Sequence, residues 1–188
     1  MSREYNQYIR VFTGRKFWPL DPHLEEIDIL DIAHALANNC RWGGHCGTFF
    51  SIAQHCCIVH DFLPERLKRA GLLHDASEAY ILDMPRPIKY QMPEYRVIED
   101  ILMRKIAERF QFDYALLEEI KGADDLVLYI EKSCLFRDGD PREVLTDRAV
   151  DFYFESGHDY ESMQQTIWAP EQAEAEFLNR FHWLHLKW

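Results

Sequence analysis

A chain of 188 residues with 47% hydrophobic content is long enough for a full core and too apolar to be a disordered segment. A formal charge of −11 argues against a general nucleic-acid binder, which needs a basic face to neutralise phosphates; a small anionic substrate would need a local basic pocket or a metal. No apolar run approaches the roughly 20 residues of a membrane span, and Met1–Gln7 carries no signal-peptide apolar stretch, so a cytoplasmic protein with reduced thiols is expected.

In chain order, residues 8–18 read as a short β-hairpin turning near Thr13-Gly14. Pro19 and Pro22 break regularity, and Ile27, Leu30, Ile32, Ala33 and Leu36 predict a helix over about 26–37 with its Asp residues solvated. Residues 38–50 form a Gly-rich loop with an aromatic end. Cys40 and Cys46, with His45 nearby, resemble no zinc-finger spacing. Ser51 is a plausible N-cap for a helix whose core stripe is Ile52, Cys56, Val59 and Leu63, with His55 beside that stripe.

Pro64 suits the first position of a third helix, on which Leu67, Ala70, Gly71 and His74 share a face. His74-Asp75 follow directly, and on a continuous helix Glu78 would stand above His74, four residues on. Pro85, Pro87 and Pro93 predict an ordered loop. A fourth helix spans about 94–110, with Val97, Ile98, Ile101, Leu102, Ile106 and Phe110 inside. Asp113 caps a long fifth helix striped by Leu116, Ile120, Ala123, Val127, Ile130 and Cys134, with Asp124 beside the stripe and Asp125 further round. Gly139-Asp140-Pro141 ends it. Residues 142–168 are a broken helix or a loop, and Ala173, Phe177, Phe181 and Leu184 give a final helix after Ala169-Pro170 its apolar face. The expected fold is all-α, one domain over 1–188 of about six helices, with the chemistry-bearing core at about 26–138.

His55, His74-Asp75 and Asp124 lie against core stripes on three helices. Brought together they would make a His2Asp2 site suited to an octahedral divalent ion such as Mn, Co, Fe, Ni, Zn or Mg, with positions left for water and a substrate oxygen. Each residue taken alone has a plainer reading: His55 as a satisfied core His, Asp124 as a solvated acid that Asp125 could replace, Arg41 as a surface charge and Trp42 as core. His74-Asp75 in an apolar stretch is harder to dismiss, because a buried carboxylate needs a cation or partner. Arg41 offers a bidentate fork for phosphate oxygens, and Glu78 is a candidate base. Arg86 and Lys89 either steer an anion or solvate the Pro-rich loop.

The order His … His-Asp … Asp resembles the HD-domain metal-dependent phosphohydrolases. Within them, Arg41-Trp42, Ser51–His55, His74–Glu78, Asp83–Tyr90 and Ala123-Asp124 with Glu131 are similar to the bacterial 5′-deoxynucleotidase group, over about residues 41–132. The resemblance implies metal ligation by His55, His74, Asp75 and Asp124. It implies that Glu78 orients or deprotonates the attacking water, that Arg41 binds phosphate, that Trp42 lines the sugar, and that Asp83 stands at the substrate edge. A nucleotide is then the expected substrate, a deoxynucleoside 5′-monophosphate first and a triphosphate next. A non-catalytic nucleotide-binding module and a metal-stabilised structural protein are the readings from other classes. The aromatic C-terminus, Phe181–Trp188, offers a contact for a homodimer.

Overall fold

The computed structural model describes residues 7–136, 145–156 and 166–185. It is mostly α-helical, with one two-stranded antiparallel hairpin at its start. Strands β1 (Ile9–Arg10) and β2 (Lys16–Phe17) pair Ile9 with Phe17 and turn through Gly14 at φ 82°. The hairpin is moored to helix α1 (Ile29–Asn38), where Asp31 accepts hydrogen bonds from the Thr13 amide (2.7 Å) and hydroxyl (3.1 Å). Asp31 is therefore buried, contrary to the solvated role expected of it, because the hairpin folds over that face. Asp28 caps α1 by accepting from the Leu30 amide.

Helix α2 (Ile52–Phe62) is the axis of the molecule. Ser51 caps it by accepting from the Gln54 amide at 3.1 Å. Every residue from Ile52 to His60 is buried, because α2 has a core on each side. One core joins it to α1, α3 (Lys68–Leu73), α4 (Glu78–Ile81), α6 (Pro93–Arg109) and α10 (Pro170–His185); Phe17 and Phe177 are fully buried there. The other joins its opposite face to α7 (Leu116–Glu119), α8 (Lys121–Leu135) and α9 (Asp147–Ser156). Among the described residues no helix is long and apolar enough to cross a membrane.

Several expected cylinders are cut shorter. Pro64 caps a 3-10 turn, Glu65–Leu67, before α3 begins. The Pro-rich stretch holds a one-turn helix, α5 (Arg86–Lys89), which tolerates Pro87 because the first turn has no amide partners to lose. The long fifth helix is split at Ile120 into α7 and α8, and its buried face ends on Leu135 while Cys134 is exposed. On α6 the buried face is Leu102, Met103, Ile106 and Ala107; Val97 and Ile101 are exposed, because the first half of α6 runs beyond the core to the wall of a cavity. Helix α9 falls within residues 142–168, the stretch that the sequence leaves as a broken helix or a loop. The expected break at Gly139–Pro141, the N-terminal residues 1–6 and residues 186–188 lie outside the described residues.

Candidate metal and phosphate site

The loop from Cys40 to Ser51 is closed at its base by the Arg41 amide to the Phe50 carbonyl (2.8 Å) and the Ile52 amide to Asn39 (3.0 Å). Inside it, residues Arg41–Gly44 make a tight turn with Trp42 at φ 58°, Gly43 at 59° and Gly44 at 79°. Left-handed backbone is ordinary for the glycines and strained for a tryptophan, a cost typical of functional loops. The turn sends the Arg41 side chain inward, where it is 8% exposed.

After α3 the chain tightens into i→i+3 turns: Ala76 to Leu73 (3.0 Å), Glu78 to Asp75 (3.0 Å), Tyr80 to Ser77 (2.9 Å). Residues i and i+3 eclipse in such turns, so Glu78 stands over Asp75 rather than over His74. This corrects the face expected for a continuous helix.

His55 from α2, His74 and Asp75 from the end of α3, and Asp124 from α8 converge. The His55 and His74 Nε2 atoms are 3.2 Å apart. Asp75 Oδ2 lies 3.3 Å from His74 Nε2 and 3.7 Å from His55 Nε2; Asp124 Oδ1 lies 3.1 Å from His55 Nε2 and 3.7 Å from His74 Nε2. Donor atoms of His55, His74 and Asp75 all fall within 4.8 Å of one another. An ion with bonds of about 2.1 Å would set neighbouring donors roughly 3 Å apart, which these spacings match.

The hydrogen bonding of the rings fits a cation equally well. His55 Nδ1 donates to Glu131 Oε1 at 2.6 Å and His74 Nδ1 donates to the Gly71 carbonyl at 2.7 Å. With both Nδ1 protons committed, neutral rings aim two Nε2 lone pairs at the same point, a repulsive arrangement unless a cation lies between them. Without one, the carboxylates act on the rings: burial and Arg41 oppose charge on His55 but Glu131 and Asp124 outweigh them, and burial opposes charge on His74 but Asp75 and Asp124 lift it well above the ordinary imidazole range. Burial alone would raise Asp75 and Asp124; the two imidazoles pull both below the usual carboxylate range.

Asp125, the alternative to Asp124, is turned the other way, accepting from the Thr146 hydroxyl at 2.8 Å with Arg148 3.3 Å off. Arg41 pairs with Glu131 through Nε and Nη2, each 3.2 Å from Oε2, and its Nη1 is 3.6 Å from Asp75. Glu78 is buried, and its Oε2 has no hydrogen-bond partner among the described residues. Burial, then the charges of Asp75 and Asp83, hold Glu78 well above the usual carboxylate range. Asp83 is exposed beyond the end of α4 and touches the site through that charge. Trp42 packs edge-on against Phe136 with ring centres 5.0 Å apart, its Nε1 buried. Lys89 pairs with Glu99 on a cavity of about 790 Å³ whose wall also includes His74, Asp75, Arg96, Tyr114 and Lys121.

The thiols Cys40 and Cys46 are 3.7 Å apart, and among the described residues no third donor completes a metal set with them. His45 is exposed, and His34 pairs with Glu174. The sequence names Glu131 only as part of the resemblance, seven residues after Asp124 and with no role; its contacts with His55 and Arg41 needed the packing of α8 on α2. The cavity-wall residues Arg96, Tyr114 and Lys121 carried no signal, since they come from three separate stretches.

No family model matches the chain. Over 125 residues it is 34% identical to the uncharacterized protein YfdR of Escherichia coli (strain K12), covering 66% of this chain and 70% of YfdR. The chain belongs to the YfdR family. It is also similar to an uncharacterized protein of Rhodobacter capsulatus, 36% identical over 124 residues, and to a 5′-deoxynucleotidase of Photobacterium profundum, 38% identical over 87 residues. These matches cover 61% and 36% of this chain, and 63% and 45% of the two relatives, so in both the chain spans less than two thirds of the relative's length.

Proposed function

We propose that this protein is a metal-dependent phosphohydrolase that converts a deoxynucleoside 5′-monophosphate and water to the deoxynucleoside and inorganic phosphate. The observation that carries the reading is the pair of imidazoles with facing Nε2 atoms 3.2 Å apart, flanked by two carboxylates, next to a buried arginine. The relatives named 5′-deoxynucleotidase point to the same chemistry. His55, His74, Asp75 and Asp124 would hold a divalent ion, which when bound neutralises phosphate oxygens and makes a water more acidic.

The remaining work falls to side chains of this chain. Arg41 meets the phosphate with a permanent charge in a site dry enough for that charge to act strongly. Glu78, kept basic by burial and by Asp75 and Asp83, takes the proton from the attacking water and returns it to the departing 5′ oxygen. Trp42 borders the sugar, Asp83 stands at the substrate edge, and Lys89 borders the cavity that would receive the nucleoside. The second reading is a deoxynucleoside triphosphate triphosphohydrolase on the same site, its phosphate tail meeting Lys89, Arg96 and Lys121 on a cavity wall that also carries Asp75, Glu99 and Asp100.

A panel of deoxy- and ribonucleotides with Mn, Co, Mg and Zn separates the two. Inorganic phosphate from deoxynucleoside monophosphates is the expected product. Tripolyphosphate from triphosphates would move the assignment to the second reading, and no release from any nucleotide with any metal would sink both.

A further inference from the structure

Glu131 hydrogen-bonds one residue from each half of this site, His55 and Arg41. It is fully buried on α8, with one oxygen accepting from His55 Nδ1 (2.6 Å) and the other from Arg41 Nε (3.2 Å), with Nη2 also at 3.2 Å. Neither of its partners is locked by anything comparable. Among the described residues His55 has no other acceptor for its Nδ1 proton, and the nearest alternative for Arg41 is Asp75, at 3.6 Å and itself one of the proposed ligands. The two oxygens of a carboxylate are fixed about 2.2 Å apart in one plane, so turning the His55 ring drags the Arg41 fork and the reverse. A residue buried only to neutralise Arg41 would not also need to grip a ring whose far nitrogen faces the other imidazole.

We propose that Glu131 is a positioning residue that couples metal affinity to phosphate affinity. It sets the His55 ring for the ion and the Arg41 fork for the phosphate as one rigid unit. This rests on the metal and phosphate reading above, and it goes beyond that reading by assigning the link between the two. A ligating imidazole held by a carboxylate behind it gains about 10–100-fold in metal affinity over one without it. Losing Glu131 should therefore weaken metal binding on that scale. It should also weaken phosphate binding, although Glu131 touches neither ligand.

The test uses the full chain and four proteins: wild type, Arg41→Ala, Glu131→Gln and the double variant. Gln can still accept from His55 with its amide oxygen, but its other end is a donor and cannot hold Arg41. Cobalt affinity is read by calorimetry, and inorganic phosphate affinity by the same method at saturating cobalt. Glu131→Gln should weaken cobalt about tenfold and phosphate by at least as much, and Arg41→Ala should add little further loss of phosphate binding in the Gln background. Unchanged phosphate affinity in Glu131→Gln, or losses that simply multiply in the double variant, would overturn the coupling. Failure of wild type to bind cobalt would instead remove the metal site itself, a different result from either. If Glu131→Gln does not fold, Glu131→Asp keeps the charge on a stem one carbon shorter. It should fall between wild type and Arg41→Ala for phosphate, and wild-type values for both ligands would overturn the proposal.

Discussion

Glu78 is where the chemistry can be read most directly from one side chain. Its Oε2 is buried without a partner among the described residues, and burial with Asp75 and Asp83 holds its pKa well above the ordinary range. A base must be ionised to work, so turnover should fall as the pH drops through this raised pKa, and the acid limb of the rate profile should lie above the usual carboxylate range. Asp83→Asn removes a negative charge near Glu78, makes its ionisation easier and should move that limb to lower pH; a limb that stays or rises contradicts the electrostatic role of Asp83. Glu78→Gln keeps the shape, leaves the metal donors intact, and should lower kcat about 100-fold or more with metal content unchanged. Full turnover in that variant would remove Glu78 from the mechanism.

At the scale of elements, the site depends on how closely α3 sits on α2. Gly71 makes this possible: a Cβ built there would fall 2.2 Å from Leu63 Cδ1 and 3.6 Å from the His60 Cα. Leu63 is buried and cannot swing clear freely. The Gly71 carbonyl also receives the Nδ1 proton of His74, so the same residue sets helix spacing and ring orientation. Gly71→Ala should cost about 1–3 kcal/mol through overpacking, measured by urea unfolding, and should also weaken cobalt binding. Stability lost with metal affinity intact would show that the two helices yield without moving His74.

Across the whole molecule, α10 is tied back to the end of α2 by Arg180, which meets Asp61 with Nε (2.9 Å) and Nη2 (2.7 Å). Burial alone would raise Asp61, but the hydrogen bonds from His60 and Arg180 win and bring its pKa down to about 2. A carboxylate depressed on folding adds stability above its unfolded pKa, near 4, and loses it as the pH falls toward 2. Asp61 is partly exposed, so screening limits the contribution to about 1 kcal/mol. Asp61→Asn should lower the melting midpoint at pH 7 by a few degrees and flatten its dependence between about pH 4 and 2. Equal slopes for the two proteins in that window would assign the acid sensitivity elsewhere.

The sequence alone determined the local features of this protein. Period 3.6 placed its main helices, Ser51 marked the start of α2, and Gly14 marked the hairpin turn. His55, His74-Asp75 and Asp124 could be picked out as candidate ligands because polar groups that meet inside a helical core must sit beside apolar stripes, and that pattern is visible residue by residue. Asp31 and Val97 were misjudged because burial depends on what lies across from a helix face, which periodicity does not contain. The register of Glu78 on Asp75 depended on backbone tightening after α3, which residue types alone do not reveal. Glu131 needed still more: its two partners are 76 and 90 residues away in the chain, and only the packing of α8 against α2 and the Arg41 turn puts one carboxylate within reach of both.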